Sequence, residues 1–362
     1  MLVLGLQPIL LGGLAEAGRL TEAEVGRAAM IEIFGLAIGA SIGPFFINSG
    51  YLRIKAGAIA VLLVLINLAF FGAGSSLDII LQRGAAGLLE GLLLSSVAII
   101  LTHTRRPERM NGVLLGVSTF PQMVAVYVLS TSLIPLYGLG AGFILLAVAA
   151  AVALLAVVFV VDRVETGSDS ALAPVQWSPS LVVFVGGVLL QNAGIGAAWN
   201  YGEILARQHG FDHDVVGLSM SGGLGFQVIG ALLAAWLAHR LHHRSPLILG
   251  TVVQAGIVYG MTIAAIPGAY IALCCAFGLF WLALQPFQVI ELIKLDPSRT
   301  MAVLLTPLAL TGLSIGPLLV SFVANENSVS AVFFVAAALL VGGALLYAFS
   351  LRLFANARVN AT

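Results

Sequence analysis

The sequence predicts an all-α integral membrane protein: twelve transmembrane helices in two six-helix bundles related by parallel duplication. Three observations predict this. Hydrophobic residues make up 60% of the chain, charged residues 9%, and the mean hydropathy is +1.07, more apolar surface than a soluble core could bury. Apolar segments near the length that crosses a bilayer, about 20 residues, follow one another from end to end. Two short patterns recur about half a chain apart. Pro107-Glu108-Arg109 with Val113-Leu114-Leu115 returns as Pro297-Ser298-Arg299 with Val303-Leu304-Leu305, at an offset of 190. Val25-Gly26 with Gly39 returns as Val216-Gly217 with Gly230, at an offset of 191. Two matches at nearly one offset indicate a duplicated half.

The apolar segments fall at 1–15, 27–48, 54–74, 77–102, 111–132, 138–161, 180–203, 215–238, 246–266, 268–292, 302–323 and 329–352. The connections between them are short, which leaves no room for a soluble domain. The first span is short for its task. By the repeat, Gly18 corresponds to about Gly210, which sets residue 1 opposite the interior of span seven, so the start reads as truncated or misassigned. The competing reading is a signal peptide ending at Ala15-Glu16-Ala17, but no basic residue precedes that site. The stretch from Asp162 to Ser180 is the longest polar interval and carries Glu165, Gly167, Ser168, Asp169, Pro174 and Pro179, a linker composition. It divides the chain into an amino-terminal bundle over 1–165, a cytoplasmic linker over 166–179 and a carboxy-terminal bundle over 180–362. With the amino end inside, twelve Lys and Arg fall on the inner face. Only Arg19, Arg27, Arg83 and Arg207 fall on the outer one. This asymmetry places both termini in the cytoplasm.

Several functions are excluded by what is missing. A formal net charge of zero offers no basic field for nucleic acid. The adjacent Cys274 and Cys275 lie in an apolar run and read as helix filler, because neighbouring cysteines rarely form a relaxed disulfide. His103, His209, His213, His239, His242 and His243 divide between the two faces, which argues against a metal site. No phosphate-binding loop, nucleophile elbow or zinc-protease motif is present. The chain is therefore not expected to be an enzyme or to carry a cofactor, and uphill work must draw on an ion gradient.

The run Ala235-Trp236-Leu237-Ala238-His239-Arg240-Leu241-His242-His243-Arg244 is similar to Gly-x-Leu-Ala-Asp-Arg-x-Gly-Arg-Arg, the cytoplasmic loop signature of the major facilitator superfamily. Here Ala235, His239 and His242 replace the first Gly, the Asp and the second Gly. The equivalent loop between spans two and three keeps only basic character, in Arg53 and Lys55. Without an Asp in either loop, the family's inner-gate latch is in doubt. Arg83-Gly84-Ala85-Ala86-Gly87 in span four matches the family's Arg-x-x-x-Gly. By the resemblance, Arg83 faces the central cavity or the first span and takes part in proton coupling; otherwise it snorkels outward. The spacing of Gly87 and Gly91 lets a neighbouring helix approach closely. The Gly-x-x-x-Gly-Pro turn of proton-driven exporters is absent from span five, although Gly312-x-x-x-Gly316-Pro317 occurs in span eleven.

An ionisable group in the bilayer core is costly and so is a functional candidate. Glu90 is mid-span in span four, two turns beyond Arg83 and on the same face. It reads as a proton or substrate site, or as a structural hydrogen bond. Glu32 in span two either joins the coupling or reaches water at the outer end of its helix, and Glu291 reads as a solvated boundary charge. Family analogy lines the cavity with spans one, four, seven and ten. That points to Gln7 beside Pro8, to Gln191, Asn192 and Trp199, and to Trp281, Gln285 and Gln288, which fall at i, i+4 and i+7. Amides and indoles suit a small organic molecule with an aromatic or amphipathic part; alternatively the amides bond across helices. The expected function is proton-coupled secondary transport of a small organic solute by a monomer in a bacterial-type inner membrane. A non-transporting sensor or scaffold on the same fold is the alternative.

Overall fold

A computed structural model describes residues 2–47, 51–102, 107–159, 174–237, 244–324 and 329–359. Among the described residues the chain is a succession of helices matching the apolar segments. The amino-terminal six are span one (Leu2–Glu16), two (Glu22–Ile47), three (Leu52–Leu68), four (Ser76–Thr102), five (Pro107–Val128, continued through a π turn to Tyr137) and six (Gly140–Ala156). The carboxy-terminal six are span seven (Pro179–Gln208), eight (His213–Leu237), nine (Arg244–Thr262), ten (Pro267–Ala283 and Gln285–Leu295), eleven (Thr300–Val303 and Leu305–Ser321) and twelve (Ser330–Val359). Among the described residues nine helices are long and apolar enough to cross a membrane unaided, and Leu2–Glu16 and Leu305–Ser321 are shorter apolar helices. With exposed Phe, Leu, Ile and Val distributed along the outside, this is an integral multi-pass membrane protein.

The duplication is visible in contacts as well as in letters. Spans two and four pack backbone to backbone: a methyl at Gly39 would overlap the Leu88 carbonyl, and one at Gly87 the Glu32 carbonyl. Spans eight and ten do the same, with Gly230 against the Leu279 carbonyl and Gly278 against the Gly223 carbonyl. All four positions of one set map onto the other at the offset of 191. Spans one and seven also end alike. Gly18 (φ +66) and Gly210 (φ +78) close the helices in the left-handed conformation that glycine tolerates best. In each case the next residue donates back five residues, Arg19 to the Leu14 carbonyl at 2.9 Å and Phe211 to the Ala206 carbonyl at 3.1 Å.

The two sets of spans meet at the end of the molecule that the charge asymmetry assigns to the outside, hereafter the outer end. Tyr201 Oη donates to the Glu22 carbonyl at 2.6 Å, and Ser130 Oγ to that of His213 at 2.9 Å. Gly26 in span two lies against the Pro317 carbonyl of span eleven. At the opposite end, Asp296 caps the turn into span eleven. It accepts from the backbone of Met301 (3.0 Å) and Ser298 (3.2 Å), from Ser298 Oγ (2.6 Å), and from Gln176 N (3.4 Å) where the chain enters span seven.

Candidate functional site

The close approach of spans two and four fixes the geometry of the principal polar site. With glycines at 35, 39, 84, 87 and 91 along the contact, the helices come near enough for Glu32 to meet Arg83, and both are buried. Arg83 Nη1 donates to Glu32 Oε1 at 3.2 Å, and Gln7 Nε2 from span one donates to Glu32 Oε2 at 2.8 Å. Arg83 Nη2 donates to Asn67 Oδ1 of span three at 2.8 Å. The guanidinium carbon lies 5.1 Å from the Phe143 ring centroid in span six, and Phe143 stacks on Phe70 at 3.6 Å. Five spans thus converge on one ion pair, with a donor on each carboxylate oxygen, the arrangement that makes a buried charge tolerable. Chemically it is a carboxylate whose partners must be released or rearranged when it takes a proton.

The sequence candidates sort accordingly. Gln7, Glu32 and Arg83 are brought together; Glu32 does not reach water and Arg83 does not snorkel. Glu90 is on the same helix but lines a cavity of about 260 Å³ with Leu63, Asn67, Leu93, Leu94 and Leu146. The same Asn67 that holds Arg83 also borders this cavity.

The counterpart in the carboxy-terminal six is neutral. Gln191 Nε2 donates to Gln254 Oε1 at 3.3 Å, while Gln191 Oε1 accepts from Gln288 Nε2 at 2.8 Å and from Tyr347 Oη at 2.7 Å. These four groups from spans seven, nine, ten and twelve are buried, and they bond across helices instead of facing a cavity. Asn192 Nδ2 returns to the Val188 carbonyl at 2.9 Å. Gln285 and Trp281 remain half-buried. Trp281 meets Trp199 edge to face, with centroids 5.6 Å apart. Trp199 in turn crosses between the two sets of spans, its Nε1 donating to the Leu4 carbonyl at 2.9 Å. That carbonyl is the one left without a helical donor by Pro8, which has no N–H to return four residues.

One expectation is corrected. Glu291 is not a solvated boundary charge: it is buried, and Lys294 Nζ donates to its Oε1 at 2.6 Å. Its neighbours within span ten face the core against Leu181 and Tyr347, so the helix rotation carries the carboxylate inward. In the loops matched to the family's signature, Arg53 is exposed and Lys55 half-buried at the start of span three, and both have interaction partners. His239 and Arg240 lie outside the described residues, and Arg244 opens the helix of span nine. Sequence reasoning missed Asn67, Gln254, Tyr347 and Glu203. For Glu203 a signal existed in its i, i+4 spacing to Arg207; the others carry none without knowing which helices pack. Among the described residues no group of three or more His, Cys, Asp or Glu could hold a metal ion, and Cys274 and Cys275 are free thiols.

No family model matches the sequence, and none of the curated proteins does. Solved structures do match. The nucleoside transporter NupG superimposes with a TM-score of 0.81 at 10% identity, over 96% of each chain. The xylose transporter XylE from E. coli, in a partially occluded inward-open conformation, superimposes with a TM-score of 0.68 at 14% identity, over 95% of each chain. The chain shares the fold of these two transporters. The contacts of Tyr201, Ser130 and Gly26 lie between the amino-terminal and carboxy-terminal sets of spans, and the Glu32–Arg83 pair lies within the amino-terminal set. At these identities the likeness carries the fold alone.

Proposed function

We propose that this protein is a secondary active transporter that moves a small polar organic solute by alternating access and draws on a proton gradient. The observation that carries the reading is the Glu32–Arg83 pair: a carboxylate and a guanidinium sealed inside the amino-terminal bundle and held by Gln7 and Asn67. A membrane bundle has no structural need for such a pair, and ionisable groups at that depth belong to ion pathways far more often than to scaffolding. A proton on Glu32 frees Arg83 and Gln7. Because Gln7 sits on span one, which holds Trp199 through Leu4, the release is transmitted toward the other bundle.

The moving bodies are residues 1–165 and 180–362, joined by 166–179, and they rock about a site near the midplane. The half-buried Trp281 and Gln285 offer the solute a ring face and an amide, and Glu90 a polar contact from the opposite bundle. The names of the two superimposed structures, a nucleoside and a xylose transporter, fit a neutral solute with a polar ring. The protein works as a monomer in a bacterial-type inner membrane, with both termini in the cytoplasm.

The test is uptake of labelled nucleosides and pentoses into proteoliposomes with and without an imposed pH gradient. Glu32→Gln is expected to abolish gradient-driven accumulation while preserving solute exchange. Accumulation equal to wild type in that variant overturns Glu32 as the coupling group. Absence of flux for every solute tested in the wild type overturns transport of this class.

A further inference from the structure

The cavity beside Glu90 lies inside the amino-terminal set of spans, not between the two sets. Among the described residues its lining comes from spans one, three, four, five and six alone. Asn67 and Leu146 border it toward the outer end, and Leu94 and Ala153 toward the inner end. Leucines and alanines form most of the wall. The polar groups among the described lining residues are the Glu90 carboxyl, the Asn67 amide and the Ser118 hydroxyl. Ala149, Ala150 and Ala153 fall on one strip of span six, and their small side chains leave the space that larger residues would fill.

The lining decides which ligand fits. Glu90 alone among the described lining residues is ionisable, so it sets the sign of the cavity. Arg83 is two turns, about 10 Å, away on the same helix. It is matched by Glu32 at 3.2 Å, so that pair adds no net charge. A half-buried carboxylate against apolar walls has lost part of its hydration, and a cation that reaches it offsets the loss through a charge-assisted hydrogen bond. Glu90 and Ser118 already have interactions within the chain, but a carboxylate accepts at about four lone-pair positions and can take a further donor. An anion is repelled, and a neutral molecule of the same shape gains only the apolar contact. Size narrows the choice further. A leucine-lined cavity of about 150 Å³ takes benzene; in that proportion, about 260 Å³ takes a ligand of about ten heavy atoms.

We propose that this cavity is a binding site for a small apolar amine in its protonated form, the ammonium on Glu90 and a body of phenyl size among Leu63, Leu93, Leu146 and the alanines of span six. The inference goes beyond the transport reading. That reading offers Glu90 to a solute from the interface, whereas the cavity lies on its side toward spans three and six. Both uses draw on one carboxylate, so an amine in the cavity withholds Glu90 from the solute. It is an inhibitor and not cargo, because every group that holds it belongs to one of the two bodies and moves with it.

The experiment measures binding of tritiated phenylpropylamine to the protein in lipid nanodiscs, with the signal of empty nanodiscs subtracted. The pH is held at about 7.5, where an alkyl amine is protonated as lysine is. Unlabelled phenylpropanol and phenylpropionate, neutral and anionic molecules of the same shape, serve as competitors. Wild type is expected to bind saturably, with both competitors at least about tenfold weaker than the unlabelled amine. Glu90→Gln keeps the shape and removes the charge, and is expected to weaken binding by about tenfold or more. Ala149→Leu keeps the carboxylate and fills the cavity, and is expected to weaken binding by a similar factor. Absence of saturable binding in the wild type, unchanged affinity in Glu90→Gln, or competition by the alcohol equal to that by the amine overturns the site. So does full binding in Ala149→Leu, because the amine then meets Glu90 outside the cavity. The competitor series needs only the wild type, so it decides the matter even where a variant fails to fold. Binding is read without flux: loss of the amine site leaves accumulation through Glu32 intact, and failure of the transport reading leaves amine binding intact.

Discussion

Removal of Arg83 tests whether the ion pair, and not the hydrophobic packing around it, sets the strength of the amino-terminal bundle. In Arg83→Met the side-chain volume is nearly kept, but Glu32 loses the donor to its Oε1 and Asn67 the donor to its Oδ1. An uncompensated charge of this kind costs about 3–5 kcal/mol. Glu32→Gln is milder. Its amide oxygen still accepts from Arg83, and the guanidinium keeps Asn67 and the Phe143 ring, so about 1–3 kcal/mol is expected, the cost of one weakened hydrogen bond to a charged group. The double variant buries no charge at all, so it is expected to be more stable than Arg83→Met alone, with a coupling of about 2–3 kcal/mol. At roughly 2 °C per kcal/mol for a chain of this size, Arg83→Met lowers the melting temperature by about 6–10 °C and the added Glu32→Gln restores about half of that. Thermal unfolding of the three variants in one detergent, followed by intrinsic fluorescence, reads all of these values. An Arg83→Met protein melting within about 2 °C of wild type, or a double variant less stable than either single one, would refute the reasoning.

Two further expectations concern backbone contact and pH. Gly230→Ala pushes a methyl into the Leu279 carbonyl, whereas Gly256 in span nine has nothing within 4 Å of a built Cβ. The first is expected to cost about 1–3 kcal/mol by overpacking, and Gly256→Ala to stabilise by up to about 1 kcal/mol through helix propensity; melting curves with the opposite order sink the reading. At Asp296 burial pushes the carboxyl upward, but the bonds from Met301, Ser298 and Gln176 together outweigh it and hold the group below the ordinary aspartate range. A depressed carboxylate contributes stability that is full above its unfolded value, about 3.9, and is lost as the pH falls through the lower folded value. Asp296→Asn keeps an oxygen for Ser298 but turns an amide toward the Met301 N–H. The variant is expected to be less stable than wild type at neutral pH, and the gap to narrow on acidification below about pH 4. A gap that does not change with pH contradicts the assignment.

The fold was legible because bilayer thickness fixes the length of each apolar run and because the duplicated letters are also the letters of helix contact. Gly39 and Gly230 recur because each faces a carbonyl of the helix beside it. The ends of helices were less legible: span seven runs on to Gln208 and span five to Tyr137, since polar residues at the interface between bundles extend a helix beyond its apolar core. The pairing of Glu32 with Arg83 was not readable, because 51 residues separate them and only the packing of spans two and four brings them together. Arg83 and Glu90 share a face of span four but lie two turns, about 10 Å, apart, too far for direct contact; the partner of Arg83 is on the adjacent helix. Gln191 and Gln288 were seen as polar residues in apolar helices, but whether such an amide faces a cavity or another amide depends on Gln254 and Tyr347, which sequence position does not connect to them.

The indole of Trp199 and the proline of span one form a plug and socket between the two sets of spans, the bodies that the proposed alternating access would separate. Pro8 leaves the Leu4 carbonyl without its helical donor, and Trp199 fills the vacancy from the other bundle. When the bodies part, neither group can find a replacement within its own helix, so water has to enter at that depth to meet both. The opening movement is thus tied to wetting of the pathway. Under the proposed transport, a solute that displaces those waters favours the return of the plug, so occupancy promotes closure.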